Sequence, residues 1–252
     1  MLIKKAPDVR YSEITPESLY RGRREFLRAA AAAAVGTAAA LPTMLDAQGA
    51  TATGNLPAIP NVKKSPLSTT EKPTAYSDFS TYNNFYEFGT DKSEPVVYAK
   101  RLKTRPWKVT IEGHVAKPGV FDIDEFVKSY TLEERIYRHR CVETWSAVVP
   151  WIGIPLADVI KRVEPTSQAK YVEFVTAYDI NTMPGVRQPI LQWPYIEGLR
   201  LDEAKHPLAI LAVGMYGQIL PNQNGAPIRL VAPWKYGFKN GKSLVKIRFV
   251  DA

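Results

Sequence analysis

The sequence has 252 residues but only one cysteine, Cys141, and three histidines, His114, His139 and His206. A single cysteine excludes an intramolecular disulfide. The histidines lie too far apart for a zinc spacing, and Cys141 has no partner cysteine. There is no G-x-G-x-x-G and no G-x-x-x-x-G-K-[ST] segment, so neither a dinucleotide fold nor a P-loop is supported. No G-x-S-x-G marks a hydrolase. Internal repeats are absent, and no dense Lys/Arg run follows the N-terminal region.

What remains is ordinary for a folded protein: 45% hydrophobic and 23% charged residues, with 13 Tyr, 5 Trp and 20 Pro. That many prolines predicts loops and short strands. The formal charge is +8. A positive balance suits a solvated basic surface or an anionic, phosphate-bearing ligand.

Residues 1–49 read as a targeting segment. Arg23-Arg24-Glu25-Phe26-Leu27 precedes an alanine-rich run from Ala29 to Leu41. That run is too short and too weakly apolar to stay in a bilayer. The pattern resembles a twin-arginine signal, the alternative being an Ala-rich helix of the folded domain. Cleavage after Gly49 would lower the charge to +6. The twin-arginine route carries folded proteins, so it implies a periplasmic location and hints at a cofactor inserted before export. Export also argues against nucleic acid as a partner.

Residues 50–75 are rich in Pro, Thr, Ser and Lys and read as an extended arm or linker. The folded domain is expected over 76–252, opening on the aromatic cluster Tyr76 to Phe88. Alternation predicts a strand over Trp107–Gly113. Asp122 is placed as the N-cap of a helix to Tyr130, with Glu125 completing a capping box. Further strands are predicted over Arg135–Val142, Tyr171–Thr176, Leu208–Met215, Ile228–Ala232 and Ser243–Val250, with a helix from Pro155 to Val163. Asn240-Gly241 is read as a turn joining the last two strands. Many strands, few helices and no βαβ rhythm give a sheet-rich α+β domain.

The chemistry centres on Arg138-His139-Arg140-Cys141-Val142-Glu143-Thr144-Trp145-Ser146. On a strand, His139 and Cys141 share one face and the arginines the other. Cationic neighbours favour a thiolate, which soft metal centres select. The residues alone favour a buried, inert cysteine over a metal ligand, with a nucleophilic thiol as a third option. Tyr82 to Phe88 adds amides, a phenol and a carboxylate. Pro221 to Leu230 adds amides and Arg229, whose fork suits a phosphate. Trp234 to Lys242 interleaves cations, aromatics and glycines.

Together these runs, with Arg-Cys-Val-Glu and Trp-Ser-Ala-Val-Val-Pro-Trp-Ile-Gly between Leu132 and Gly153 and the Glu197–Ala204 segment, resemble the MsrP family of periplasmic protein-methionine-sulfoxide reductases. The resemblance runs from about Tyr82 to the C-terminus. It implies the sulfite oxidase-type molybdopterin fold and a molybdenum cofactor on a single molybdopterin. Cys141 matches the family's protein ligand to the metal. The family's cofactor contacts fall on Asn83, Tyr86, Glu87, Thr176, Asn224 and Arg229, and on Asn240-Gly241-Lys242, where Asn240 and Gly241 depart in identity. The implied activity is reduction of methionine sulfoxide in oxidised periplasmic proteins, with electrons from an MsrQ-type membrane haem partner. Sulfite oxidation or reduction of small S- or N-oxides are alternatives on the same fold, and a non-enzymatic binding protein is a third. Tyr86, Glu87 and His139 are candidate proton donors. Family members continue beyond Val250, so a shortened C-terminus is expected here.

Overall fold

A computed structural model describes residues 56–252. The segment read as a targeting signal, the first part of the arm and the expected cleavage point lie outside them. The described residues form two sheets with few and short helices.

In chain order the elements are β1 (Lys63–Lys64), α1 (Tyr76–Thr81), α2 (Glu94–Tyr98), β2 (Lys108–Gly113), β3 (Gly119–Asp122) and α3 (Ile123–Lys128). Next come β4 (Glu133–Arg140), β5 (Ser146–Pro155), α4 (Leu156–Val163), β6 (Tyr171–Thr176), β7 (Ile196–Arg200) and α5 (Leu201–Ala204). The chain closes with β8 (Ile210–Met215), β9 (Gln218–Ile219), β10 (Arg229–Val231) and β11 (Leu244–Val250). One sheet runs β1-β4-β5-β8-β10, with β9 hydrogen-bonded to β8. The other runs β3-β2-β11-β6-β7.

The first sheet owes its shape to β5. This ten-residue strand is buried from Ala147 to Ile154 and pairs antiparallel with both β4 and β8. Pro150 cannot donate to a ladder, which argues against a central strand. The strand accommodates it because β8 ends at Met215, opposite Trp151, so Pro150 only accepts, from Tyr216 N–H at 2.8 Å. The register shifts between Ile152 and Gly153, where a Cβ on Gly153 would stand 2.5 Å from Leu211 O. The far edge, β4, is covered by the arm. Thr69 N–H donates to Ile136 O at 2.9 Å, and Glu71 pairs with Arg138. Covering that edge removes unpaired ladder groups from solvent.

The helices follow their sequence signals. In α4, Leu156, Val159, Ile160 and Val163 form one buried stripe at helical spacing. Burying each stabilises the fold by about 2 kcal/mol. Asp122 caps α3 by accepting from Asp124 N–H at 2.9 Å. The reciprocal half of the capping box is missing. Asp122 pairs with Lys108 in the β2–β3 ladder, and the Glu125 carboxylate bonds Lys128 at 2.8 Å instead.

One expected turn is absent. Asn240-Gly241 does not join a hairpin, because β10 and β11 belong to different sheets. A two-residue type I′ turn needs positive φ at both positions. Asn240 has φ −98°, and its side-chain oxygen accepts from Ala232 N–H at 2.6 Å. The segment is a crossover loop, and it crosses over the site. Met183 and Met215 are both fully buried in the fold.

Gly185 fixes a site-forming segment. Its N–H donates to Glu87 O at 2.9 Å, and a Cβ there would lie 2.0 Å from Tyr86 O. Backbone cannot yield as a side chain tip can. Gly185→Ala is expected to lower stability by about 1–3 kcal/mol and to displace Tyr86 and Glu87, read by urea denaturation.

Candidate active site

A cavity of about 340 Å³ opens where four segments meet. These are the turn after β4, the 82–87 loop after α1, the turn before β10, and the crossover loop between β10 and β11. Of the ten sequence-predicted site residues, Asn83, Tyr86, Glu87, Cys141 and Asn224 line it, as do Arg229, Asn240, Gly241 and Lys242. Thr176 stands one layer back and donates its hydroxyl to Glu87 Oε1 at 3.0 Å.

Cys141 is not on the strand. It begins the β4–β5 turn, where its N–H donates to Trp145 O at 3.0 Å and its carbonyl accepts from Thr144 N–H at 3.1 Å. Thr144 takes the left-handed conformation at φ 72°. The inward face continues from β4, so His139 and Cys141 are buried while Arg138 and Arg140 are exposed. Tyr236 bridges Arg140 and brings the crossover loop over the turn; a Cβ on Gly237 would sit 3.8 Å from Cys141 Sγ.

The 82–87 loop is anchored by Phe85 and Phe88, both buried and edge-to-face at 4.8 Å. Asn83 Nδ2 and Asn224 Nδ2 both donate to Phe79 O at 3.1 Å. Their Oδ1 atoms, and that of Asn84, are buried with no hydrogen-bond partner. Buried polar atoms without partners are costly, about 1–3 kcal/mol each, and rare in native proteins. Three in one cavity wall fit a ligand rich in N–H donors.

The charges fit an anion as well. Arg229 is buried with only carbonyl acceptors, Asn224 O at 2.9 Å and Leu230 O at 3.4 Å. Its guanidinium stacks 4.8 Å from the Trp151 ring. Burial without a carboxylate partner pulls its pKa down to about 9. Lys242, partly buried in the same wall, donates to Asn84 O at 2.7 Å. Burial, with Arg229 repelling it, pulls its pKa down to about 7 against the opposing pull of Glu87. Burial raises Glu87 above the usual carboxylate range, opposed by Lys242 and the Thr176 hydroxyl. Two cations thus face one carboxylate.

This sets a pH dependence. Lys242 binds its proton less tightly folded than unfolded, so between about 7 and the ordinary lysine range the unfolded chain holds more protons. Cofactor-free protein is therefore expected to gain stability as pH rises across that window, and below it to carry the full cost of the buried Lys242 charge with no slope from this group. Urea denaturation checks this, and Lys242→Met should flatten the slope.

His139 does not fit the proton-donor role. Its Nε2 accepts from Trp151 Nε1–H at 2.8 Å, and burial beside Arg229 pulls its pKa down to about 3. It holds no second ring proton at neutral pH. The amide of Asn240 is committed to its own loop, bonding Ala232 N–H, Tyr236 O and Gly237 O, so that residue offers the cavity backbone surface.

The family described as oxidoreductase molybdopterin binding domain matches residues 96–252. Three curated relatives carry the name protein-methionine-sulfoxide reductase catalytic subunit MsrP. That of Ralstonia nicotianae is 53% identical, aligned over all of this chain and 77% of the relative. That of Burkholderia mallei is 55% identical over all of this chain and 78% of the relative. That of Pseudomonas syringae pv. tomato is 50% identical over the same shares. The chain belongs to the MsrP family.

The fold of this MsrP-family chain also resembles that of the sulfane dehydrogenase SoxCD from Paracoccus pantotrophus. The TM-score is 0.55 at 14% identity, covering 95% of this chain and 60% of that one. Membership brings a molybdopterin-binding domain, and the unpaired amide oxygens and the unbalanced cations suit such a ligand. Among the described residues no cluster of three His, Cys, Asp or Glu side chains can hold a metal alone.

Sequence reasoning missed the residues beside the sulfur. Asn84 Nδ2 lies 3.6 Å from Cys141 Sγ and donates to Glu143 Oε2 at 2.9 Å. Lys92 pairs with Glu143 at 2.8 Å, and Trp145 Nε1–H donates to it at 3.2 Å. Hydrogen bonds from Lys92 and Asn84 hold the Glu143 carboxyl below its usual range. The signal was a carboxylate two positions past the only cysteine, within a turn rather than on a strand.

Proposed function

We infer that the protein is a molybdenum-dependent reductase that returns methionine sulfoxide in oxidised periplasmic proteins to methionine. The observation that carries this reading is Cys141 in the wall of a cavity whose amide oxygens and cations lack protein partners. The activity is the one named for relatives 50–55% identical over the whole chain. Asn83 and Asn224 accept hydrogen bonds from the pterin, Arg229 and Lys242 hold its phosphate, and Cys141 is the protein's ligand to the metal. The cavity is the size of one small-molecule site, which supports a single pterin.

The reaction takes a sulfoxide, two electrons and two protons to a thioether and water. When bound, the cofactor supplies the two-electron redox chemistry. Val142 and Tyr82 are exposed at the cavity wall, which suits a side chain presented on another protein. The relatives are named catalytic subunits, so a partner subunit is expected. A membrane haem protein of the MsrQ type supplies the electrons in this reading, consistent with the lack of a nicotinamide motif. The Arg23-Arg24 segment supports export to the periplasm.

A sulfite-oxidising site on the same fold is the second reading. Sulfite is an anion and needs cations converging beside the metal ligand. Here the Asn84 amide, bonded to Glu143, approaches the sulfur, while Arg140, Arg229 and Lys242 line the same cavity, so turnover decides between the two readings. Protein purified from a pterin-producing host is expected to carry stoichiometric molybdenum and to reduce sulfoxides in oxidised protein. Folded protein without molybdenum or pterin, or sulfite turnover without sulfoxide reduction, overturns the reading.

A further inference from the structure

His139 lines the cavity and is buried, yet it carries none of the roles assigned above. Its surroundings fix its chemistry. Trp151 Nε1–H can only donate, and it donates to His139 Nε2 at 2.8 Å. Nε2 must therefore be the unprotonated nitrogen, which puts the ring proton on Nδ1. Trp151 is itself immobile. It is fully buried, with Phe79 against it edge-on at 5.6 Å and the Arg229 guanidinium at 4.8 Å. Nδ1 has no hydrogen-bond partner among the described residues and is not sealed within the protein, so its N–H is open to the cavity that His139 lines. An N–H facing a ligand cavity is free to donate to whatever occupies it.

We propose that His139 is a further cofactor-binding residue: Trp151 holds its imidazole as the Nδ1–H tautomer, which presents a neutral donor to an acceptor atom of the pterin. This rests on the molybdopterin reading of the cavity. Neutrality is useful here, because Arg229 and Lys242 already supply positive charge to the same wall. The amides of Asn83 and Asn224 present acceptors to the pterin, and His139 adds a donor. Trp151 acts through His139 as a positioning residue.

Isosteric substitutions test the assignment, because an Asn amide nitrogen overlays Nδ1 and a Gln amide nitrogen overlays Nε2. Pterin released per folded chain is measured on protein purified from a pterin-producing host. Thermal denaturation of each variant gives the folded fraction. His139→Gln is expected to fall about tenfold in pterin retention, the loss of one buried hydrogen bond. His139→Asn is expected to stay within about twofold of the parent. Nitrogen-15 NMR of histidine-labelled parent protein should show a protonated Nδ1 and a bare Nε2 for this residue, and needs no variant to fold. Equal retention in the Gln and Asn variants, or a protonated Nε2, overturns the proposal. A parent protein that itself lacks pterin would instead overturn the functional reading.

Discussion

Replacing Cys141 by serine is expected to leave a folded, pterin-bearing protein whose sulfoxide reduction falls by about three orders of magnitude or more. Serine cannot supply a soft sulfur anion, and its hydroxyl stays protonated at neutral pH, so the metal would lose the protein ligand proposed for it. The fold should tolerate the change. The turn is held by backbone bonds from Cys141 N–H to Trp145 O and from Thr144 N–H to Cys141 O, which serine repeats. The only side-chain contact of hydrogen-bond type lost is the long 3.6 Å approach of Asn84. Asn83, Asn224 and Arg229, the pterin contacts proposed above, lie on other segments. Three readouts decide the matter: turnover of oxidised protein, pterin content and thermal midpoint. Full activity in the serine variant would remove Cys141 from the site.

Arg229→Met carries the second large effect, with opposite signs in two measurements. Without cofactor, Arg229 is a buried cation facing only carbonyls, and its lowered pKa reflects that burial. Methionine keeps the packing on Trp151 and removes the charge. Cofactor-free variant protein is therefore expected to be more stable than the parent, by about 1–4 kcal/mol in urea denaturation. Pterin retention should move the other way and fall about a hundredfold, because a desolvated phosphate loses a charge-assisted partner. A purely structural arginine would lower both quantities. A parallel fall in stability and retention would thus reject its role as an anion-holding group.

Much of this site was legible in the sequence because its chemistry is compact. Asn83, Tyr86 and Glu87 fall within five residues, and Asn224 and Arg229 within six, so local reading captured them. Cys141 stood out by being alone. Position in the third dimension was less accessible. Thr176 ends β6 in the other sheet and touches the site only through Glu87. Glu143 and Asn84 are brought together by the turn after β4, and no periodicity announces a contact across 59 positions. The strands behaved similarly. Those with apolar runs or clean alternation were placed within two or three residues. The longest, β5, was missed because Pro150 and Pro155 speak against a central strand, although β8 stops short of the first and α4 begins after the second. Asn240-Gly241 carries the signature of a hairpin turn, but the neighbouring strands belong to separate sheets. The tertiary arrangement overrode the local preference there.

The two methionines of the described residues bear on how such a catalyst survives its surroundings. Met183 and Met215 are sealed from solvent. A dissolved oxidant attacks a thioether it can reach, and oxidation turns an apolar side chain into a polar one that disrupts packing. Oxidants are kept from both sulfurs until the fold opens. Under the function proposed above, an enzyme that repairs damaged neighbours would thereby stay out of its own queue of clients while the proteins around it are scarred.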